Sequence, residues 1–178
     1  MAKLNKKKNS SKKEIVYGLF ELMMEKPYPD ITVKEICEQS EVSRMTFYRN
    51  FHTKEDVIFA QFDMVYSTFL KRLVIQNRFT FYDVAMTFFA IIKENQFMME
   101  AIVKNDLSNF LLSVLRKYIK ALIDNQILIT REKSSNLLVA MISGGLTEII
   151  ITWTNDGMKQ PVDELVIFAS KYMHLKTN

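Results

Sequence analysis

The residue types that most often carry chemistry are scarce in this chain. It holds two histidines, His52 and His174, and a single cysteine, Cys37. There is no HExxH, CxxC, GxGxxG or P-loop string, so metal-assisted hydrolysis, thiol redox chemistry and nucleotide cradling lack their signatures. The acidic residues are spread along apolar-periodic runs as solvated faces. The sequence therefore predicts no enzyme, no metal site and no cofactor. What it does concentrate is a set of hydrogen-bond donors in one short run, Ser43 to Phe51, SRMTFYRNF. Arginine, serine, threonine and tyrosine on one helical face are suited to phosphates and base edges.

The surrounding stretch, Ile31 to Asp56, supplies the elements that would hold those donors. Thr32 is a helix cap with Glu35 three residues on, a capping-box spacing. Val33, Ile36 and Cys37 would face inward before the chain turns at Gln39-Ser40-Glu41. Ser43 caps the next helix. Phe47 and Phe51, four apart, form its inward side, which leaves Arg44, Met45, Thr46, Tyr48 and Arg49 outward or on the flank. A helix about 10–12 Å across fits the major groove. Arg44 suits a guanine edge, Thr46 and Met45 suit thymine methyls, and Tyr48 suits a phosphate. His52 lies beside this run and faces phosphate or solvent. Thr53 caps a further helix with Asp56 at its third position, and the N–H groups at Thr53 and Lys54 are expected to offer a second phosphate site. Spacing alone fits an ordinary three-helix subdomain equally well.

This stretch resembles the helix-turn-helix of the TetR family of bacterial transcriptional regulators. The resemblance rests on Thr32-Val33-Lys34-Glu35-Ile36, on Val42-Ser43, and on Thr46-Phe47-Tyr48-Arg49-Asn50-Phe51 followed by Lys54-Glu55-Asp56. It covers roughly residues 11–60. It implies DNA contacts from Thr32, Ser43, Arg44, Met45, Thr46, Tyr48, Arg49 and Lys54, and packing roles for Phe47 and Phe51. It also implies an operator of double-stranded DNA, read by a homodimer. Two positions depart from the family pattern. Glu41 stands where a small residue is usual, and Met45 fills a slot often held by a small side chain.

Upstream, a helix is expected from Ser10 or Ser11 to about Lys26, with Ile15, Leu19, Leu22 and Met23 in one stripe. Pro27 and Pro29 end it. Residues 1–13 hold six lysines and no acid, within a chain whose net charge is +4. That basic, flexible tail is either a phosphate-binding arm or only a solubilising start.

Downstream the pattern is helix after helix, so the fold class is all-α. One helix runs from Lys54 to about Ile75, followed by a loop at Asn77-Arg78. Others run from Phe81 to about Lys93, from Phe97 to Lys104, from an Asp106 cap to about Ile123, from Thr130 to Asn155 or Asp156, and from Pro161 to about His174. Gly157 fits a C-cap. The domains read as a tail at 1–10, a DNA-binding domain at 11–56 and a helical regulatory and dimerisation domain at 57–178. Phe62, Tyr66, Phe69, Met86, Phe89, Met98 and Phe110 are candidates for an adaptable pocket that takes a small apolar or aromatic effector, or for plain core. Gly144 and Gly145 would let helices approach closely, or would break their helix. With Ile149, Trp153, Leu165, Phe168 and Tyr172 they are the candidate dimer interface.

One cysteine excludes an internal disulfide, and Cys37 reads as a buried small hydrophobe in a reducing, cytoplasmic setting. No uncharged apolar run is long enough to span a bilayer, so no membrane partner is expected. The combined reading is a homodimeric repressor released from a near-palindromic operator by an effector. The competing reading is an effector-independent DNA-binding or protein-interaction dimer, such as a co-activator, on the same fold.

Overall fold

The computed structural model describes residues 2–76, 80–128 and 136–173, and within them all regular structure is helical. The order is α1 (Ala2–Glu25), a 3-10 turn (Tyr28–Asp30), α2 (Val33–Gln39), α3 (Arg44–Asn50), α4 (Lys54–Gln76), α5 (Phe81–Glu94), α6 (Gln96–Lys104), α7 (Ser108–Asp124), α8 (Asn136–Asn155) and α9 (Val162–Met173). The chain forms two compact units, Met1–Met64 and Val65–Asn178, and α4 contributes to both. The expected loop at Asn77-Arg78, the helix start at Thr130 and the end at His174 lie outside the described residues.

In the first unit α1 packs on α2 and α3, and α2 packs on α3. Ile15, Leu19 and Met23 from α1, Ile36 from α2, Phe47 from α3 and Ile58 from α4 are fully buried. The α1 helix begins at Ala2, so residues 2–10 continue it where a tail was expected. Ala, Leu and Lys are strong helix formers and no proline precedes Pro27, so Ser10 and Ser11 fall inside the helix. Gly18 permits a close approach. A Cβ there would sit 3.2 Å from both the Cβ and the backbone nitrogen of Ser40, at the end of α2.

The turn after α2 closes by two bonds. The Val42 N–H donates to the Cys37 carbonyl (3.0 Å) and the Glu41 N–H to that of Glu38 (3.2 Å). Glu41 is thereby placed in the left-handed region, at φ 51°. Glycine is the usual residue in this motif, because a Cβ there costs about 1–2 kcal/mol. Glu41→Gly should therefore raise the unfolding free energy of this unit by about 1 kcal/mol, read as a higher denaturant midpoint at unchanged slope.

In the second unit α7 and α6 pack on α8, and α5 packs on α9. Six rings join in a continuous run. Tyr118 stacks on Tyr66 (centroids 3.9 Å, 3° apart), Tyr66 on Phe69, Phe69 meets Phe88 edge-on, Phe88 meets Phe89, and Phe89 meets Trp153. Offset and edge-on pairs of this kind add roughly 0.5–1.5 kcal/mol each beyond area burial. Arg72 in α4 forks onto Glu94 in α5 through two 2.7 Å bonds. Each partner favours the other's charged form, so Arg72 is pushed up and Glu94 down.

Several helix ends differ from expectation. Asp106 does not cap α7. It closes α6 in the left-handed region (φ 54°), where the Leu107 N–H reaches back to the Ile102 carbonyl at 3.0 Å. Gly157 ends α8 with φ 69°, as its type predicts. The α8 helix runs unbroken through Gly144 and Gly145. A Cβ at Gly144 would meet nothing within 4 Å, so no close approach among the described residues requires glycine there. By length and composition α8 could cross a membrane, and 44% of its apolar window is buried inside the chain. Glu148 is the one charged residue within it, and it interrupts the uncharged apolar run in the sequence. Trp153 and Leu165 were expected at a dimer face and instead are buried within the chain. Trp153 meets Phe89 and donates its indole N–H to the Gln160 carbonyl at 3.0 Å, so its bulk serves the core.

Candidate nucleic-acid interface

Two caps and one buried ring present the donors of α3. Thr32 begins α2 with a complete capping box. Its side chain accepts from the Glu35 N–H (3.3 Å), and Glu35 accepts from the Thr32 N–H (2.9 Å) and hydroxyl (2.7 Å). The Lys26 ammonium pairs with the same carboxylate. That pairing first, then the Thr32 bonds, hold the Glu35 carboxyl at about 2, so the box stays charged. Ser43 caps α3 by accepting from the Thr46 N–H at 3.1 Å. The two hydroxyls also meet at 3.0 Å.

Phe47 is wholly buried and sits against Phe51, with ring centroids 6.0 Å apart. That fixes which side of α3 faces out. Arg44, Met45, Tyr48 and Arg49 are exposed, with Met45 at 78%. Thr46 is half-buried on the flank, and Asn50 donates to its carbonyl at 2.7 Å. Thr32, Ser43 and His52 are exposed beside this face. Cys37 on α2 is buried, and burial pushes its thiol up.

The start of α4 departs from expectation. The N–H groups of His52 and Thr53 both donate to Asp56 Oδ2, each at 2.9 Å. The Asp56 N–H returns to the Thr53 hydroxyl at 3.1 Å. A carboxylate of the chain itself therefore takes the Thr53 N–H that was assigned to a phosphate, and these bonds lower the Asp56 pKa. Lys54 is turned inward as well. Its ammonium donates to the carbonyls of Tyr28 (2.7 Å), Pro29 (3.1 Å) and Ile31 (2.8 Å). Sequence spacing offered no sign of this, because those acceptors lie 23 to 26 residues back.

In the second unit Tyr66, Phe69 and Phe89 join the ring run. Phe69, Phe89 and Met98 are buried, while Tyr66, Met86 and Phe110 are half-buried. Phe62, which falls in the first unit, is buried. Of the proposed interface residues, Phe168 and Tyr172 are exposed with rings 4.8 Å apart, Gly145 is exposed, and Gly144 and Ile149 are half-exposed. Among the described residues no cluster of His, Cys, Asp or Glu is arranged to hold a metal.

A short capped helix held by one buried ring, with donors on its open side and a larger helical unit following, defines a helix-turn-helix regulator. The model of bacterial regulatory proteins of the tetR family matches residues 15–60, and that of a transcriptional regulator C-terminal region in the TetR group matches residues 80–175. The chain belongs to the TetR family of transcriptional regulators. A search of curated protein sequences finds no match. Among solved structures, Lin0861 from Listeria innocua superposes with a TM-score of 0.77 at 18% identity, covering 92% of this chain and 88% of that one. A TetR-family regulator from Syntrophomonas wolfei gives 0.61 at 15% identity, covering 93% and 94%. The regulator FadR of Bacillus subtilis, solved with stearoyl-CoA, gives 0.58 at 20% identity, covering 90% and 96%. At these identities the likeness is one of fold.

Proposed function

We propose that this chain is a homodimeric repressor that reads a near-palindromic operator through α3 and leaves it when an apolar effector enters the second unit. The observation that carries the reading is the division of α3. Phe47 is buried, while Arg44, Met45, Tyr48 and Arg49 stand free of the core at the end of the Ser43 cap. Two such helices would enter successive major grooves about 34–36 Å apart. Membership in a family of transcriptional regulators and a buried cysteine both suit a reducing cytoplasm. Selection of bound duplex from a random pool tests the reading. Enrichment of a two-half-site sequence supports it, and recovery of unselected DNA refutes it.

Arg44 is assigned to a base edge, with Tyr48 and Arg49 on phosphates. Arg44→Ala should relax preference at one base pair of each half-site by about 1–3 kcal/mol. Affinity measured across single-base operator variants checks this. A uniform loss over all variants would reassign Arg44 to the backbone.

The effector is proposed to be apolar or aromatic and to lodge among Tyr66, Phe69, Met86, Phe89, Met98 and Phe110. Support comes from the aromatic and methionine character of this unit and from the fold shared with FadR, which was solved with an acyl-CoA. Titration of the operator complex with stearoyl-CoA and with smaller aromatic acids provides the test. Release by one class identifies the effector, and no release by any favours an effector-independent dimer. The ring-to-ring packing from Tyr118 to Trp153 favours that second reading, because rings that fill one another's space leave less for a ligand.

A further inference from the structure

The two ends of the helix-turn-helix are tied together by one side chain. The motif begins after Ile31 and finishes where α4 starts, at Lys54. The Lys54 ammonium lies 2.8 Å from the Ile31 carbonyl across those 23 positions. It also takes the carbonyls of Tyr28 and Pro29, at 2.7 and 3.1 Å. An ammonium has three N–H donors, and here all three are spent on backbone oxygen. The charge further lies 4.4 Å from the centre of the Tyr28 ring, a cation–π distance.

The neighbouring residue completes the tie. Tyr28 is buried and its hydroxyl donates to Glu55 at 2.8 Å. Lys54 and Glu55, the first two residues of α4, thus hold the 3-10 turn by its carbonyls and by its ring. The turn has local support as well, from the Lys26 ammonium on the Asp30 carbonyl at 3.1 Å. Thr32 and its cap follow directly. A loop fastened at both ends has fewer conformations to lose when it docks on a rigid partner.

We propose that Lys54 is a positioning residue for DNA reading: it staples the ends of the helix-turn-helix, so duplex affinity depends on it through the geometry of the motif. This rests on the DNA-reading proposal above. A phosphate contact and a staple differ in what they demand of the side chain. A phosphate accepts any cation within reach, and its loss lowers the salt slope of binding by about 0.9. Three carbonyls converging on one point suit a compact ammonium better than a planar guanidinium.

Amine acetylation followed by mass spectrometry tests the assignment on the native chain. Lys34, which is largely exposed and pairs with Glu38 at 3.7 Å, is the reference. The staple predicts that Lys54 reacts at least about tenfold more slowly than Lys34, equally with and without operator duplex. A Lys54 that reacts like Lys34 when free and is protected by duplex overturns the role. In parallel, Lys54→Arg and Lys54→Met should both weaken duplex binding by about tenfold with an unaltered salt slope. Full affinity in Lys54→Arg, or a shallower slope in Lys54→Met, also overturns it. Should the variants fail to fold, the acetylation result decides. A wild-type chain that binds no duplex refutes the DNA reading and this role with it, whereas a duplex-binding chain with a reactive, duplex-protected Lys54 refutes this role alone.

Discussion

Phe47→Ala should destabilise the first unit by about 3–5 kcal/mol and abolish operator binding. The ring is fully buried and is the buried residue of a seven-residue helix. A helix of two turns has almost no stability of its own, because its nucleus costs more than its few bonds return. It persists by docking, and Phe47 is the docking group. Its edge contact with Tyr48 (5.4 Å) and its tilted contact with Phe51 (6.0 Å) would be lost together with the buried area. Tyr48→Ala is the control. That side chain is 54% exposed, so its removal should change stability by less than about 0.5 kcal/mol while weakening DNA binding. Denaturant unfolding of both variants separates the roles. A Phe47→Ala loss below about 1 kcal/mol would mean that α3 is held by something else.

The features that sequence made legible are those whose partners lie three or four residues away. The Thr32–Glu35 box, the Ser43 cap and the inward Phe47–Phe51 pair all formed as their spacing predicts. Helical geometry fixes such relations before any tertiary contact exists. Asp56 is legible as a capping residue, and its cap has a second consequence. A carboxylate that satisfies the Thr53 N–H also removes that group from the expected phosphate site. Lys54 was illegible, because a basic residue at a helix start reads as a surface charge until the chain 23 residues earlier is brought beside it. Gly18 left a usable signal, since a glycine inside an apolar-periodic helix marks a close approach, here to Ser40. In the second unit periodicity identified apolar faces but not what covers them. Trp153 and Phe168 look alike in sequence, and only the fold buries the first and exposes the second.

That exposed set carries the last expectation, that Phe168→Glu converts a dimer to a monomer. Single exposed apolar residues are ordinary. Here they recur at helical spacing. On α8 Leu137 is 81% and Met141 62% exposed, and Gly145 follows four residues later. On α9 Phe168 and Tyr172, four apart, are 50% and 60% exposed, with Ile167 beside them. Gly144 adds open space where a Cβ would meet nothing. A second copy of the same chain is the occupant that the proposed homodimeric reading calls for. In a two-fold interface each substitution counts twice. Burying one such side chain is worth about 1.5–3 kcal/mol, so Phe168→Glu should weaken association by about 3–6 kcal/mol before the cost of burying charge is added. Sedimentation equilibrium at micromolar concentration should then show monomer for the variant and dimer for the wild type. Helical content should match, because Phe168 is not part of the core. Operator affinity should fall with the dimer, since a monomer reads one half-site and loses the second as an intramolecular partner. A variant that stays dimeric would move the interface away from α9.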